Sequence, residues 1–508
     1  MEIHDLQVQQ CRYYKESKKE KAIPHGIDGI EEGIDKVNLR ELYLPKYRAS
    51  LPKEIMKIEL PRKVSFIISN LSLHGYEAYA VGGCVRDAIL AKDPKDWDIT
   101  TSATPQEIKG LFRHTVDTGI EHGTVTVLLG KESFEVTTFR IDGTYEDGRH
   151  PSSVTFTKDL IEDLKRRDFT INAMAYNDEV RLVDKVGGMK DLNHHLIRCV
   201  GDPRTRFSED YLRILRGVRF SAQLGFKLEQ HTIEGMVELA PHLSKISAER
   251  VRDELVKLLI SNNPDKIHEA YQLGITKVIL PEWDAMVGVE QRNPHHSYDV
   301  ASHTLLALRE VKKERILRLA MLFHDMGKPE TKTTDPKGVD HFIGHEKAGE
   351  RIAREVMNRL RFDKDTIKKV SKLVAYHDYP LNATSRAVRR AINRIGVELF
   401  PYYLAMRVAD IKAQSNYERK EKLKKIVQVR MIYQKIIREK QCVSLRELAI
   451  TGGDLIELGM EPGPQIGEIL DELLEFVIDH PKYNTREYLL PFSGKLVKKL
   501  GESKWTQK

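Results

Sequence analysis

The segment Val81–Asp98, VGGCVRDAILAKDPKDWD, restricts the fold of this chain more than any other stretch. The apolar residues Ala78–Val81 lead into it and are typical of a buried β-strand. The glycine pair Gly82-Gly83 can end that strand in a tight turn and let backbone N–H groups approach an anion at a helix N-terminus. The pattern therefore predicts a strand, a glycine turn, a helix from Cys84 and a second strand from residue 97.

Two carboxylates, Asp96 and Asp98, flank Trp97 in this segment. Side chains at positions i and i+2 of a strand share one face, so both carboxylates are predicted to point into one space. They would repel each other without a cation, and Mg²⁺ is typically held by one or two carboxylates plus substrate phosphates. A glycine pair alone usually marks an ordinary turn, and D-x-D alone is commonly a solvated loop. Their combination favours a metal-dependent phosphoryl-transfer site.

In this order and spacing the motifs resemble the head of the class II tRNA nucleotidyltransferases, a family that includes the CCA-adding enzymes and bacterial poly(A) polymerases. The resemblance implies that Asp96 and Asp98 are catalytic and hold two Mg²⁺ ions. Arg86 and Asp87 match the family's GGxVRD pattern, which implies a phosphate-binding role for the arginine and a structural role at the helix start for the aspartate. The nucleotide-binding residues implied in this segment are Gly82, Gly83 and Arg86.

The segment Lys165–Ala175, KRRDFTINAMA, resembles the family's second motif, RRDxxxNA, at every fixed position. In the family this motif helps to select ribonucleotides through the sugar 2′-OH. A carboxylate and a carboxamide can both bond a hydroxyl, and Arg167 can hold triphosphate oxygens. Asp168 and Asn172 are four residues apart, so we expect them to face one pocket from a helix.

The segment Glu209–Arg216, EDYLRILR, resembles the family's EDxxR motif. The resemblance implies that Asp210 and Arg213 read the incoming base: the carboxylate accepts from the amino group of cytosine or adenine, and the guanidinium donates to the ring acceptor. Without that role the two would form an i,i+3 salt bridge worth a few tenths of a kcal/mol. Arg216 and Arg219 continue the helix face and are candidates for triphosphate or tRNA backbone contact.

The segment Arg140–Pro151 is rich in Gly and Asp and ends in Pro, which predicts a mobile loop. It is similar to the flexible loop of CCA-adding members, which favours addition of the terminal adenosine. Glu135, on the strand before the loop, is either a third acidic group of the site or a paired surface glutamate. Lys185–Leu192 and Thr451–Gly463 also resemble family segments, and the latter matches a C-terminal region that meets the tRNA in the family.

A second constellation, H…HD…D, is carried by helical patterns between residues 295 and 410. It resembles the HD phosphohydrolase superfamily, whereas a lone His or Asp on a helix is usually a structural hydrogen-bonding residue. Imidazole and carboxylate ligands suit a divalent transition metal, and such a site would hydrolyse a phosphomonoester or cyclic phosphate. A degenerate, structural HD fold is the alternative. The candidate ligands are His303, His324, Asp325 and Asp410, with His345 and His377 completing a two-metal version.

At 508 residues the chain is too long for one core. Strand patterns fall between residues 52 and 200, including Thr124–Leu129 and Phe134–Phe139, and helical periodicity dominates afterwards. The predicted fold class is α+β, with a nucleotidyltransferase head built on a small β-sheet and an extended all-helical body that includes an HD domain. The predicted divisions are a polar N-terminal extension (1–50), the head (51–200), a helical neck and body (201–280), the HD domain (281–420) and a C-terminal helical tRNA-binding region (421–508).

The formal net charge of +7 is weak evidence for nucleic acid when taken alone. Four cysteines lack a CxxC spacing and favour a reducing compartment. No apolar run approaches the 18 residues of a membrane span, so the sequence predicts a cytoplasmic protein with no membrane partner. No obligate protein partner is indicated either.

Taken whole, the resemblance implies an enzyme that adds CCA to the 3′ end of tRNA from CTP and ATP without a nucleic-acid template, with release of pyrophosphate. The alternative within the family is a poly(A) polymerase, which shares the head motifs. From other classes, the alternatives are an HD phosphohydrolase with a degenerate RNA-binding head and a purely structural RNA-binding protein.

Overall fold

A computed structural model of the protein describes residues 57–143 and 153–503, with side chains as far as Val497. The predicted N-terminal extension, Cys11 and residues 144–152 of the predicted loop lie outside the described residues. The strands are β1 (Ala78–Val81), β2 (Ile99–Thr101), β3 (Thr115–Gly119), β4 (Thr124–Leu129), β5 (Glu132–Thr138), β6 (Arg140–Asp142), β7 (Val154–Phe156), β8 (Met174–Asn177), β9 (Arg181–Asp184), β10 (Leu196–Ile197), β11 (Lys227–Leu228), β12 (Thr333–Thr334) and β13 (Asp340–His341).

The helices surround and follow a head that contains most of these strands. They are α1 (Arg62–Leu73), α2 (Gly83–Ile89), α3 (Pro105–Leu111), α4 (Leu160–Lys165), α5 (Gly188–Asn193), α6 (Pro203–Glu209), α7 (Leu212–Leu224), α8 (Gln230–Leu239), α9 (Ala248–Leu259), α10 (Ile267–Gln272), α11 (Thr276–Ile279), α12 (Pro281–Asp284), α13 (Val300–Glu310), α14 (Arg315–Phe323), α15 (Lys328–Thr331), α16 (His345–Arg359), α17 (Lys364–Tyr376), α18 (Ser385–Ile395), α19 (Phe400–Ala413), α20 (Arg419–Arg438), α21 (Gly452–Glu457), α22 (Pro464–Asp479) and α23 (Arg486–Ser503). Among the described helices, none combines the length and apolar character needed to cross a bilayer.

The head is organised by a seven-stranded sheet with the order β3-β4-β5-β2-β1-β8-β9. Strand β1 pairs antiparallel with both β2 and β8, so that Ala80 lies between Ile99 and Tyr176. Strand β2 runs parallel to β5, with Ile99 opposite Val136. The glycine turn, the D-x-D segment and the middle of β5 are therefore brought to one region of the sheet.

The mixed α+β architecture predicted from the sequence is confirmed. Beyond residue 200 the described strands are three two-residue segments, β11, β12 and β13. Helices α7, α9 and α22 are three examples of the helical periodicity predicted for this part of the chain. Their apolar residues recur every three or four positions and are buried on one side, which is the arrangement that stabilises such helices in a folded chain.

The second predicted strand differs from the structure near the glycine turn. Strand β2 begins at Ile99, two residues later than predicted. The N–H of Val81 still donates to the Asp98 carbonyl at 3.0 Å, but β1 ends at Val81 and the chain turns at Gly82, whose φ is +84°, so pairing with β1 stops there. The D-x-D segment therefore lies in the loop that leads into β2.

The predicted mobile loop after β5 begins as regular structure. Strand β6 pairs antiparallel with β7, with Ile141 opposite Thr155. Strand β5 itself starts at Glu132, earlier than the predicted Phe134, because Leu129 pairs with Glu132 across a two-residue turn. Backbone pairing extends these strands through positions whose polar side chains gave no strand pattern in the sequence.

The described residues form two large hydrophobic cores. One runs from Ile58 in the head to Val443, and the other joins apolar side chains between Cys442 and Leu496. The three cysteines among the described residues are free and buried, as expected of packing residues. The second core makes the C-terminal helices a separately packed unit.

The backbone at Gly188 packs closely against neighbouring atoms, so a substitution there tests the packing of the head. A Cβ there would lie 2.4 Å from the Thr170 carbonyl oxygen and 2.8 Å from Met174 Cγ. We expect Gly188→Ala to destabilise the protein by about 1–3 kcal/mol through overpacking and to lower its melting temperature. The matched control is Gly110→Ala in helix α3, where a Cβ meets no atom within 4 Å and alanine improves helix propensity. Equal melting temperatures for the two variants would contradict the packing described here.

Candidate functional site

The glycine turn contacts the second motif directly. Gly82 has a φ of +84°, which favours glycine, and α2 begins at Gly83. A Cβ at Gly82 would lie 3.2 Å from Arg167 Nη1 and 3.7 Å from the Asn172 carbonyl oxygen. Asp87, which was expected at the helix start, lies in the second turn of α2. The structure thus brings the first and second motifs within van der Waals distance.

The carboxylates of the D-x-D segment lie at the open edge of this region. The pKa of Asp98 is raised, chiefly because the surrounding protein displaces water from its recess, although the side chain keeps solvent access. Arg167 opposes this shift, whereas the negative charges of Glu135 and Asp96 add to it. Glu135 precedes Val136 in the parallel pair of β2 and β5, which places it beside Asp98. Among the described residues these carboxylates do not form a three-ligand group within 4.8 Å, so Asp96 and Asp98 are the pair that would hold Mg²⁺ together with substrate phosphates.

A chain of polar contacts links the second motif to helices α2 and α7. Arg86 Nη1 donates to Asn172 Oδ1 at 2.6 Å, and Asn172 Nδ2 donates to Asp168 Oδ1 at 3.3 Å. Arg216 Nη2 lies 2.6 Å from Asp168 Oδ2. Burial alone would raise the pKa of Asp168, but the ion pair and hydrogen bond with Arg216 lower it to about 2. The expected helix is absent here: a 3₁₀ turn over Thr170–Asn172 brings the pair together.

Asp210 and Arg213, which the resemblance predicts to read the base, each contact a different residue of the protein. Asp210 lies between α6 and α7, where its Oδ1 accepts from the Leu212 N–H at 3.0 Å. Arg250 Nη2, from α9, donates to Asp210 Oδ2 at 2.7 Å. Arg213 Nη1 instead donates to Glu209 Oε2 at 2.5 Å. Within the described chain Asp210 and Arg213 form no ion pair with each other, so each is oriented by its own neighbour.

Arg250 is a site residue that the sequence reasoning missed. It sits in an amphipathic helix, and nothing in a helical pattern says which distant carboxylate an arginine will meet. It contacts Asp210 across 40 positions of sequence. The available signal was a cation placed among the apolar residues of α9, which is too common to single out a site.

Three guanidinium groups surround the ring of Phe220. The carbon atoms Cζ of Arg86, Arg216 and Arg219 lie 5.2, 5.4 and 4.0 Å from the ring centroid. Arg219 also lies 2.7 Å from Glu254, and burial lowers its pKa to about 10. Desolvated cations clustered in this way favour an incoming polyanion such as a triphosphate.

The second constellation converges on Asp325. Its Oδ2 lies 3.5 Å from His303 Nε2 and 3.2 Å from His324 Nε2. Its Oδ1 lies 3.7 Å from the Nε2 atoms of both His345 and His377. Two groups of possible metal ligands, His303-His324-Asp325 and Asp325-His345-His377, each fall within 4.8 Å, and both are buried. The sixth predicted residue, Asp410, lies 3.0 Å from His303.

The ring orientations define where a cation fits. Hydrogen bonds of 2.7–2.8 Å join the Nδ1 atoms of His324, His345 and His377 to backbone carbonyl oxygens. A carbonyl can only accept, so Nδ1 is the donor in each bond, and Nε2 is the ring atom whose lone pair can bind a metal ion. The Nε2 atoms of His345 and His377 are 3.1 Å apart. Two facing lone pairs repel, and a shared metal ion removes that repulsion, so these residues fit a divalent metal.

A cavity of about 620 Å³ opens beside this cluster. Lys328, a buried residue at its wall, donates to Asp325 Oδ2 at 2.7 Å. His296 was not identified from the sequence, yet it lines the cavity with its ring centroid 5.1 Å from that of His303. The polar wall also includes Asp340, His341, Asp378, Asp410 and Gln414.

Metal binding at this cluster can be measured directly. We expect Mn²⁺ to bind the metal-free protein and His377→Gln to weaken its affinity by more than about tenfold, because one imidazole ligand is removed. Isothermal titration calorimetry measures the affinity. The matched control is His341→Gln, since His341 lies at the cavity edge and pairs with Asp335. Equal Mn²⁺ affinity in both variants would show that the cluster is structural.

Family comparisons agree with this arrangement. Residues 78–198 match the model of the poly A polymerase head domain. Residues 225–287 match a probable RNA and SrmB-binding site of polymerase A, and residues 342–493 match a putative tRNA nucleotidyltransferase domain 2. The first match contains the glycine turn, the D-x-D segment and the second motif.

Whole-chain comparisons extend further. A CCA-adding enzyme of Enterococcus faecalis is 36% identical over 436 residues, which cover 84% of this chain and 94% of that protein. One from Limosilactobacillus fermentum is 34% identical, covering 85% and 96%. The crystal structure of the Bacillus stearothermophilus CCA-adding enzyme in complex with CTP superimposes with a TM-score of 0.65 at 28% identity, covering 88% of this chain and 100% of that one. The resemblance of the head motifs is thereby confirmed, and the chain belongs to the family of CCA-adding enzymes.

Proposed function

We propose that this protein adds cytidine, cytidine and adenosine to the 3′ end of tRNA, taking CTP and ATP as substrates and releasing pyrophosphate. The observation that carries this proposal is the convergence of the head motifs on one region around the glycine turn and Phe220. The D-x-D carboxylates, the Asp168–Asn172 pair and the cations around Phe220 meet there. The relatives named CCA-adding enzymes support the same activity.

Base selection follows from the donors and acceptors of Asp210 and Arg213. The ionised carboxylate accepts from the exocyclic amino group of cytosine or adenine, and the guanidinium donates to the adjacent ring nitrogen. Guanine and uracil present a carbonyl where an amino group is needed. Such a base would leave buried polar groups unpaired, which is the strongest basis for discrimination available to a protein pocket. To bond the base, Asp210 would rotate away from Arg250, and Arg213 would rotate away from Glu209.

The chemistry is an in-line displacement at the α-phosphorus. The tRNA 3′-oxygen forms a bond to that phosphorus, the bond to the bridging oxygen breaks, and pyrophosphate departs. When held by Asp96 and Asp98, Mg²⁺ supplies charge stabilisation and lowers the pKa of the attacking hydroxyl. Arg86, Arg216 and Arg219 offset the triphosphate charge, since their guanidinium groups already surround one ring.

Ribose recognition is assigned to the second motif. Asp168 keeps its negative charge and can accept from a sugar hydroxyl. Asn172 is oriented by Arg86 on one side and by Asp168 on the other, so its carboxamide is held in one orientation.

For the domains we keep the predicted divisions of the head (51–200), the neck and body (201–280) and the HD domain (281–420). Helix α20 packs on the larger core, so we begin the separately packed C-terminal unit near Cys442 rather than at residue 421. Since tRNA, CTP and ATP are cytoplasmic, we place the activity there.

The product on a tRNA lacking its 3′ end tests the activity. With Mg²⁺, CTP alone is expected to add two cytidines, and ATP to add one further adenosine. We expect Asp98→Asn to lower incorporation by about 10³-fold or more, because charge stabilisation of several kcal/mol is lost. Asp93→Asn changes an exposed carboxylate of the same loop and is the control. A ladder of adenosines would indicate a poly(A) polymerase, and unchanged rates in Asp98→Asn would refute the mechanism.

Removal of the Asp210 anchor tests base selection. We expect Arg250→Gln to lower kcat/KM for CTP and ATP by about 10- to 100-fold, since a charge-assisted hydrogen bond contributes about 1.5–3 kcal/mol. Misincorporation of UMP should rise relative to CMP. The control is Arg252→Gln on the same helix, because Arg252 pairs with Asp253 and donates to the Arg361 carbonyl. An unchanged ratio of CMP to UMP incorporation would remove Arg250 from the site.

For the Asp325 cluster we propose a second activity, metal-dependent hydrolysis of a phosphomonoester or cyclic phosphate. The facing Nε2 atoms and the adjoining cavity support it. Hydrolysis of p-nitrophenyl phosphate and of nucleoside 2′,3′-cyclic phosphates with added Mn²⁺ tests both substrate classes. Activity should be lost in His377→Gln and kept in Asp98→Asn. Activity that survives in His377→Gln would refute the proposal.

A further inference from the structure

Helix α20 carries an unusual concentration of positive charge. Between Arg419 and Arg438 it has eight basic residues and one acidic residue. Its buried side is formed by Ile426, Val429 and Ile436, which pack against the larger core. The helix lies outside the segment that matches the RNA-binding family model, residues 225–287.

The exposed side of α20 has a regular geometry. At 100° per residue, six of its exposed side chains fall within an arc of about 80°, and at 1.5 Å per residue they extend over about 27 Å. We call this face the basic stripe. It consists of Lys420, Lys424, Val427, Met431, Lys435 and Arg438.

Most cations of the basic stripe lack an acidic partner. Among the described residues, Lys420, Lys424 and Arg438 have no carboxylate oxygen within 4.0 Å, and Lys435 lies 3.9 Å from Glu439. Helix α16 contrasts with this, because its exposed Arg351 pairs with Glu355 at 3.0 Å and with Glu330 at 2.7 Å. Ion pairs of this kind offset the charge of an exposed helix face and stabilise the helix. The stripe instead presents free positive charge.

The chain that follows α20 has a small acidic excess. Residues 441–508 contain eleven acidic and eight basic residues. Exposed acidic side chains on α22 are Glu468, Asp471, Glu472 and Glu475. That face of α22 would repel phosphates, so charge complementarity favours α20 over α22 as the helix that binds RNA.

We propose that the basic stripe binds the sugar-phosphate backbone of the tRNA. Lysine and arginine supply the salt-dependent affinity for phosphates. Val427 and Met431, 56% and 65% exposed, lie between these cations and can contact ribose in the shallow minor groove of an A-form helix. This inference rests on the proposed function, since that function names tRNA as the partner.

The test measures tRNA binding without nucleotides. We expect Lys420→Gln/Lys424→Gln/Arg438→Gln to weaken affinity by at least about tenfold at 100 mM KCl. The salt dependence should also fall, with the slope of log K against log[KCl] smaller by about 3. Fluorescence anisotropy over 50–300 mM KCl provides both values. In nucleotide addition the variant should raise KM for tRNA and leave kcat unchanged.

The matched control is Lys364→Gln/Lys368→Gln on α17, where two exposed lysines are also four residues apart. Wild-type affinity and slope in the α20 variant, as in this control, would overturn the proposal. Unchanged RNA affinity with altered self-association in sedimentation would overturn it in favour of a protein-binding stripe. Because binding is measured without CTP or ATP, lost tRNA affinity supports the stripe even if the wild type fails to add CCA.

Discussion

The ion pair between the buried Asp168 and the half-buried Arg216 joins the head to the helical body. Asp168 follows the helix that precedes β8, and Arg216 lies on α7, so the contact spans 48 positions of sequence. Loss of Arg216 would leave the Asp168 carboxylate desolvated without this counter-charge, which is unfavourable. The same carboxylate orients Asn172, which in turn accepts from Arg86. One desolvated charge therefore couples the glycine turn, the second motif and the first long body helix.

The two candidate metal-binding regions differ in the chemistry of their ligands. In the head, carboxylates lie at an open edge beside guanidinium groups, which suits a hard cation shared with a substrate polyanion. Around Asp325 the ligands are buried imidazoles whose Nδ1 atoms are held by backbone carbonyls. Their Nε2 lone pairs point at one another, which suits a resident metal of softer character. The separation of these donor sets within one chain is consistent with two distinct reactions.

Much of the fold could be predicted because helical periodicity is local. The patterns of α7, α9 and α22 needed no knowledge of their partners. The start of β2 was misplaced because pairing with β1 stops at Gly82, and the register that places Ile99 opposite Ala80 is decided by tertiary contacts. The helix expected through Asp168 and Asn172 was also wrong, since a 3₁₀ turn achieves the same approach. The sequence therefore predicted that Asp168 and Asn172 lie close together, but not the 3₁₀ turn that brings them together.

By itself the sequence determined the helical faces, the chemical types at the site and the family to which the chain belongs. These properties depend on residues a few positions apart, where spacing and side-chain chemistry are sufficient. Tertiary structure decided which partner each charge would have. Asp210 meets Arg250 rather than Arg213, and His296 joins the Asp325 cavity from a separate segment. Ion pairing and desolvation act through space, so the pairing of charges appears only when distant elements have packed.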